Sequence, residues 1–228
     1  MPIGSALQFL KVTNPILAPV TKFGGQPVWL NEPEWPLSRQ TGNPMRFICQ
    51  IALDQTVFPG AAGKMAYIFM TDEADYVDGT WEPDGGENAV IIQPASTPIG
   101  IATSSLAEGP TLYEMVETPG KDLLIPKECE YAVELALVED PLFQPEQDRR
   151  SWSNEEFEEY ASALEGNKVG GTPIFLQGDE FPGQGEWRLL LQLDSTQIPF
   201  SVNFGDAGIA YAFISLEGTV GKLLWQCA

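Results

Sequence analysis

The chain has 228 residues, of which 43% are hydrophobic and 19% are charged, and this size and composition predict a folded protein with a sizeable core. A formal net charge of −20 at pH 7 argues against binding to nucleic acids or membranes, because such a field repels phosphates and anionic lipids. The chain contains no histidine, which excludes Ser-His-Asp and Cys-His catalysis and histidine-ligated zinc.

Short apolar runs bounded by turn residues predict a series of β-strands along the chain. The 19 prolines and 22 glycines indicate many turns and few long helices. The predicted strands are, in order, Phe47–Leu53, Met65–Met70, Ala89–Gln93, Tyr131–Val138, Trp187–Leu193, Ile209–Ile214 and Lys222–Gln226.

One clear helix is predicted before the second half of the chain. Ser153 is a good N-cap, and Glu156, three residues later, completes a capping box. Gly166 is expected to end this helix, and a weaker helix is expected over residues 144–150. An apolar stripe at helical spacing is formed by Phe157, Tyr160, Ala161 and Leu164.

The charge is concentrated in the middle of the chain. Residues 71–165 carry 23 acidic and 4 basic side chains, whereas residues 1–70 carry 3 acidic and 5 basic ones and residues 166–228 carry 6 acidic and 3 basic ones. Two interpretations remain open: a solvated surface that keeps the protein soluble, and a field that attracts a basic partner. The acidic stretch 71–88 lacks the spacing of a calcium loop, so we expect no metal site and no cofactor.

The three cysteines predict a reducing compartment. Cys49, Cys129 and Cys227 are odd in number and far apart, so they form neither a disulfide framework nor a Cys-x-x-Cys motif. The first ten residues lack a basic region followed by a long apolar run, and no segment is apolar enough to span a membrane. We therefore expect a soluble cytoplasmic protein.

Three sequence blocks occur twice in the same order. Lys22-Phe-Gly-Gly-Gln-Pro-Val-Trp29 returns as Lys168-Val-Gly-Gly-Thr-Pro-Ile-Phe175, a shift of 168 − 22 = 146. The other two blocks, around Gln50 and Ala66, return around Gln192 (192 − 50 = 142) and Ala210 (210 − 66 = 144). A common order at a nearly constant offset predicts a duplication.

The predicted architecture is a mainly β protein with minor α content (α+β), in which two fused pseudo-symmetric repeats share one core. Repeat 1 spans about residues 17–70, the acidic intervening segment 71–165, and repeat 2 about 166–228. Because no linker is long and flexible enough to separate two domains, we expect residues 1–228 to form a single domain.

The repeated polar residues are the candidate binding residues. The paired glycines of the Lys-x-Gly-Gly blocks permit positive φ and favour a tight turn, while Lys22 and Lys168 are candidates to bind a carboxylate in a shared groove. Gln50 and Gln192 lie inside apolar strands, so each must bond something, either the backbone of its own repeat or a ligand. Asp206, between glycines, caps a turn, pairs with Lys168 or contacts a ligand.

The repeated blocks resemble the YwqG-like family, a bacterial group of unknown function. Its matching segments lie in both halves of the chain: 22–29, 35–36, 44–51, 168–173, Gln177, 189–194 and 204–208. The pattern is also similar to the C-terminal part of programmed cell death protein 2, whose eukaryotic members chaperone a ribosomal protein. Those relatives often carry Cys-x-x-Cys where this chain has Arg39-Gln-Thr-Gly42, so no zinc site is implied.

The resemblance and the charge pattern together predict a non-enzymatic protein- or peptide-binding module with an acidic surface for a basic partner, as in a chaperone or an immunity protein. No catalytic residue is predicted. The alternative is a hydrolase that uses paired carboxylates on a carbohydrate, since this chemistry needs no histidine. Two carboxyl groups facing each other across a concave pocket favour the hydrolase, and an acidic groove beside an unpaired strand edge favours the binder.

Overall fold

The structure is a computed structural model that describes residues 1–75, 77–94 and 100–228. The described part is mainly β, as predicted. Its strands are β1 Ile3–Lys11, β2 Lys22–Gly24, β3 Trp35–Pro36, β4 Arg46–Ala52, β5 Met65–Met70, β6 Asn88–Gln93, β7 Thr103–Ser104, β8 Tyr113–Glu117, β9 Leu124–Glu128, β10 Glu130–Glu139, β11 Lys168–Gly170, β12 Trp187–Asp194, β13 Ile209–Ser215 and β14 Gly221–Gln226. The helices are α1 Glu146–Arg149 and α2 Asn154–Ser162.

Ten of the described strands close into an antiparallel barrel in the order β1-β10-β2-β4-β5-β6-β14-β13-β12-β11. β1 completes the ring, because it pairs with β10 on one side and with β11 on the other. Two small sheets, β3–β7 and β8–β9, lie outside the ring. A closed ring leaves no strand edge for an added strand, so among the described strands free edges occur only in these small sheets.

The apolar runs located the central strands to within one residue at either end. β5 has the predicted bounds, and the other predicted strands extend by a residue or shift by one. Seven strands were not predicted: β1, β8, β9 and the short strands β2, β3, β7 and β11. β9 is exposed along its whole length and contains Pro126, so it has neither the burial nor the composition from which a strand is predicted.

Helix α2 begins as predicted and ends earlier than predicted. The Ser153 hydroxyl accepts the Glu156 N–H, and the Glu156 carboxylate accepts the Ser153 N–H, which completes the capping box. The helix ends at Ser162, because the next N–H groups bond back to Ala161 and Glu159 and tighten the last turn. Gly166, with φ +92°, instead turns the chain into β11. None of the described helices has the length and apolar character needed to cross a membrane.

The apolar side chains form layers on both sides of the sheet. An inner core inside the ring combines residues of both halves, among them Ile68 of β5 and Ala212 of β13. Two outer clusters, one around Phe69 and one around Phe213, lie on the opposite faces of β5 and β13. Each outer face is crossed by the segment that follows a Gly-Gly pair, here called strap 1 (residues 26–34) and strap 2 (residues 172–180).

Candidate functional site

The two repeated lysines bind carboxylates of the chain itself. Lys22 is buried, and its Nζ donates to Glu130 Oε1 at 2.6 Å and to the Ile16 carbonyl at 3.1 Å. Lys168 is also buried and donates to Asp140 Oδ2 at 2.8 Å. Burial lowers the pKa of Lys168, and the bond to Asp140 opposes that shift. Both ammonium groups are therefore engaged within the protein.

The second glycine of each pair makes room for that carboxylate. Gly25 has φ +62°, and a Cβ there would lie 2.3 Å from Glu130 Cδ. Gly171 has φ +79°, and a Cβ there would lie 2.2 Å from Asp140 Oδ2. A side chain would displace the acid and would also strain the backbone, so this position requires glycine.

Gln50 and Gln192 bond the backbone of their own halves. Gln50 Oε1 accepts the Val28 N–H at 2.8 Å, and its Nε2 donates to the Val20 carbonyl at 2.8 Å. Gln192 Oε1 accepts the Ile174 N–H at 3.0 Å, and its Nε2 donates to the carbonyls of Leu164 and Gly166. Of the two interpretations, a bond to the backbone of the same repeat and a bond to a ligand, the structure shows hydrogen bonds to the backbone. A side chain that binds the backbone in this way is here called a latch.

The neighbouring strands add two further latches that were not predicted. The Tyr67 hydroxyl bonds strap 1, and Gln93 accepts the Asn31 N–H at 3.0 Å. In the other half, Tyr211 bonds strap 2 and Gln226 accepts the Gln177 N–H at 3.0 Å. One polar side chain from each of three adjacent strands thus fixes each strap. The signal was the recurrence of Tyr and Gln within apolar strands, taken together with the Gly-Gly block.

Asp206 lies apart from these residues, in an exposed turn before β13. Its carbonyl accepts the Ala228 N–H at 3.0 Å, and within the described part of the chain its side chain forms no hydrogen bond or ion pair. The turn around it requires Gly208, whose Cβ would lie 1.7 Å from the Phe204 carbonyl oxygen. Asp206 does not contact Lys168, since that lysine is paired with Asp140.

The largest of the cavities described, here called groove A, has a volume of about 760 Å³. It lies beside strap 1, between the loop that follows β1 and the connection from β9 to β10. Gly25, Pro27 and Trp29 form one wall, the loop 11–17 forms another, and residues 127–130 form a third. The Trp29 ring N–H donates to the Ala107 carbonyl at 3.1 Å, which joins strap 1 to the loop before β8.

Glutamates and lysines give groove A its polar character. Glu114 bonds Lys11, and that bond lowers the pKa of the Glu114 carboxyl. Glu130 is held by Lys22 as described above. Glu108, Glu128 and Lys127 also line the groove, and none of the three forms an ion pair with the described residues. Thr111, almost fully buried in the same lining, has a hydroxyl without a hydrogen-bond partner among the described residues.

Groove A borders the small sheet β8–β9 through Lys127 and Glu128 of β9. Among the described strands, β9 is paired with β8 alone, so its second edge is open. Leu124 and Ile125 of β9 and Met115 of β8 are exposed apolar side chains. The arrangement combines an apolar surface, an open strand edge and unpaired carboxylates, and it can hold an extended chain that carries positive charges.

No group of three or more cysteine, aspartate or glutamate side chains in a metal-binding arrangement occurs in residues 1–75, 77–94 and 100–228. Comparison with known protein families gives a match over most of the chain. The model of a domain of unknown function, DUF1963, covers residues 21–219, which includes both Lys-x-Gly-Gly blocks and groove A apart from its loop 11–17. No curated protein matches the chain.

Proposed function

The chain belongs to the DUF1963 family, and we propose that it is a non-enzymatic binding module that holds an extended basic segment of a protein or peptide in groove A. The proposal is carried by one observation: four glutamates and two lysines line a groove that borders β9, a strand whose second edge has no partner among the described strands. A basic chain gains ion pairs from the carboxylates and backbone hydrogen bonds from the edge.

The apolar surface of groove A supports an extended peptide rather than a point contact. Ile16, Pro27 and Val28 contribute aliphatic surface, and Leu17 is 82% exposed at the rim. A peptide that alternates lysines with apolar residues presents one kind of side chain to this surface and the other to the glutamates.

A carbohydrate hydrolase is supported less well by the same groove. A general acid in such an enzyme needs a raised pKa, so that it carries a proton at neutral pH. Glu114 shows the opposite shift in pKa, because its bond to Lys11 favours the charged form. Glu130 accepts hydrogen bonds from Lys22 and from the Ile16 N–H, so its carboxylate is already bound by the chain itself.

We infer in addition that the barrel arose by duplication of one unit within a single domain. The matching hydrogen bonds that hold strap 1 and strap 2 support this. The pairing of β11 with β1 and that of β2 with β10 support it as well. β1 sets Gly4, Ser5 and Ala6 opposite Gly170, Val169 and Lys168, whereas β10 sets Glu130, Tyr131 and Ala132 opposite Gly24, Phe23 and Lys22. Repeat 1 then extends beyond residue 70 to include β6, whose counterpart is β14.

We propose a finer family assignment as well. By the residues that carry the resemblance, we place the chain among the YwqG-like proteins, with a more distant similarity to the C-terminal part of programmed cell death protein 2. The chaperone role of the latter supports a binding function by analogy, and a cytoplasmic location agrees with three free cysteines.

The experiment is a titration with a synthetic decapeptide that alternates lysine and leucine, followed by calorimetry. Glu108→Gln combined with Glu128→Gln should weaken binding about tenfold or more, since two charge-assisted contacts are lost. The matched control is Glu155→Gln with Glu158→Gln, which removes the same charge from the exposed face of α2. Absence of binding, or equal weakening in both double variants, would overturn the proposal.

A further inference from the structure

A second cavity, here called pocket B, lies beside strap 2 and has a volume of about 460 Å³. Its position corresponds to that of groove A, since Gly171 and Pro173 border it as Gly25 and Pro27 border groove A. Its walls are apolar and aromatic. They are formed by the N-terminal residues 1–3, the segment 56–59, strap 2, Phe181 and the start of β12 at 187–189.

We propose that pocket B binds a small amphiphile by its carboxylate, with the head group on Arg188 and the apolar tail between Phe58, Phe181 and Trp187. A volume of this size lies within the range of about 300–1,000 Å³ that small-molecule sites have. The lining has the composition expected of such a site, a mostly hydrophobic surface with few polar groups.

Arg188 supplies the charge complementarity. It is one of 12 basic residues in a chain with 32 acidic ones, and yet within the described residues it forms no ion pair or hydrogen bond. Asp140, which accepts the N–H of Thr172 in the pocket lining, is buried and already paired with Lys168. A free guanidinium beside an apolar pocket favours a carboxylate, which it binds through two parallel hydrogen bonds.

The indole of Trp187 borders the apolar part of pocket B. Trp187 and Arg188 are adjacent on β12 and project to opposite faces of the sheet, with Trp187 packed against the outer cluster around Phe213. The carboxylate is therefore assigned to Arg188 alone, and the indole lies beside the apolar tail.

Pocket B and groove A therefore differ in the charge that they attract, although they occupy corresponding places in the two halves. Groove A is lined by four glutamates and two lysines, whereas pocket B is lined by Arg188 and by no acidic residue. The proposal for pocket B does not depend on peptide binding in groove A. Either site can fail its test while the other passes.

The test is calorimetric titration of the full chain with decanoate below its micellar concentration, with decanol as the uncharged comparison. We expect saturable binding of one decanoate and weaker binding of decanol. Arg188→Gln should weaken decanoate binding on the order of tenfold and leave decanol unchanged. The matched control is Arg150→Gln, at an arginine whose side chain is 74% exposed just after α1.

A spectroscopic readout separates recognition from a loss of folding. In a nitrogen–proton correlation spectrum, decanoate should shift the Trp187 indole signal, which the Trp187→Phe variant identifies by its disappearance. Saturable binding with this shift supports the proposal. Equal affinity for decanoate and decanol, equal effects of Arg188→Gln and Arg150→Gln, or no saturable binding would overturn it.

Discussion

Tyr67 of β5 and Tyr211 of β13 form the same pair of hydrogen bonds in the two halves of the barrel. The Tyr67 hydroxyl accepts the Leu30 N–H at 2.9 Å and donates to the Val28 carbonyl at 2.8 Å. The Tyr211 hydroxyl accepts the Leu176 N–H at 3.0 Å and donates to the Ile174 carbonyl at 2.9 Å. Each phenol thus binds two backbone groups of its strap and holds the strap against the outer face of the sheet.

Replacing either phenol by phenylalanine should destabilise the protein by about 1–3 kcal/mol, because one N–H and one carbonyl of the strap lose their partner. Tyr67→Phe and Tyr211→Phe should have similar effects on the free energy of unfolding, measured with urea. Tyr113→Phe is the matched control, since within the described residues that hydroxyl has no hydrogen bond. A near-neutral Tyr67→Phe would show that the phenol does not hold the strap.

Alanine substitutions at glycines with positive φ can separate the cost of backbone strain from the cost of a steric clash with a neighbouring side chain. Gly42 has φ +74° and no atom within 4 Å of the place that a Cβ would occupy, so Gly42→Ala should cost about 1 kcal/mol from strain alone. Gly171 has φ +79°, and a Cβ there would also meet Asp140. Gly171→Ala should cost at least about 2 kcal/mol more, because the buried pair of Asp140 and Lys168 must separate.

Thermal and urea unfolding of the two alanine variants measure this difference. Gly25→Ala, which meets the carboxylate of Glu130, should behave like Gly171→Ala. Equal costs for Gly42→Ala and Gly171→Ala would mean that the carboxylate moves aside freely, and the structural role of the second glycine would be wrong.

The Gly-Gly blocks and the lysine–carboxylate pairs beside them show which features could be predicted from the sequence and which could not. The Lys-x-Gly-Gly blocks are local and repeated, so their turn and positive φ could be predicted. Their acids could not, because Glu130 and Asp140 lie 108 and 28 residues from their lysines and occupy different places relative to the repeats. The partner of a buried lysine is fixed by the place of β10 in the ring, between β1 and β2, which no local pattern records.

The candidate sites were still harder to predict than the fold. Gln50 and Gln192 were conspicuous as amides within apolar strands, and their latches follow from the need to bond buried polar groups. Groove A depends on Thr111 and Glu108, which lie in a connection without periodicity. Arg188 lies in a predicted strand, but only the fold shows that it borders a pocket and has no partner among the described residues.

Alkaline pH should destabilise the protein through its buried phenols. Burial raises the pKa of Tyr67 to about 12 and that of Tyr131 to about 12. At a pH below the pKa of tyrosine in the unfolded chain, the preference of the folded state for the neutral phenol makes its full contribution to the free energy of unfolding. This contribution is lost as the pH rises through the pKa of the phenol in the folded state. The free energy of unfolding should therefore fall between about pH 10 and 12.

Urea unfolding at a series of alkaline pH values measures this slope. Tyr67→Phe should flatten it, since one raised pKa is removed. Phe69→Leu disturbs the same outer cluster without removing a titratable group, so it should lower stability and keep the slope. An identical slope in wild type and Tyr67→Phe would contradict a raised pKa for this phenol.

The acidic charge should speed the arrival of a basic peptide at groove A, and salt should slow it. Residues 71–165 carry 23 of the 32 acidic side chains, so much of the field comes from outside the groove. The association rate of the lysine–leucine peptide, measured by stopped flow, should fall about tenfold or more between low and high salt. A rate that does not change with salt would exclude steering by this field.

Rates also distinguish the general field from the groove itself. Glu155→Gln with Glu158→Gln, on α2, should lower the association rate slightly and leave the dissociation rate unchanged, because a distant charge acts only on the approach. Glu108→Gln with Glu128→Gln should lower the association rate to a similar degree and raise the dissociation rate as well, since these carboxylates contact the bound peptide. If only association changed in both double variants, the acidic residues would attract the peptide without forming its binding site.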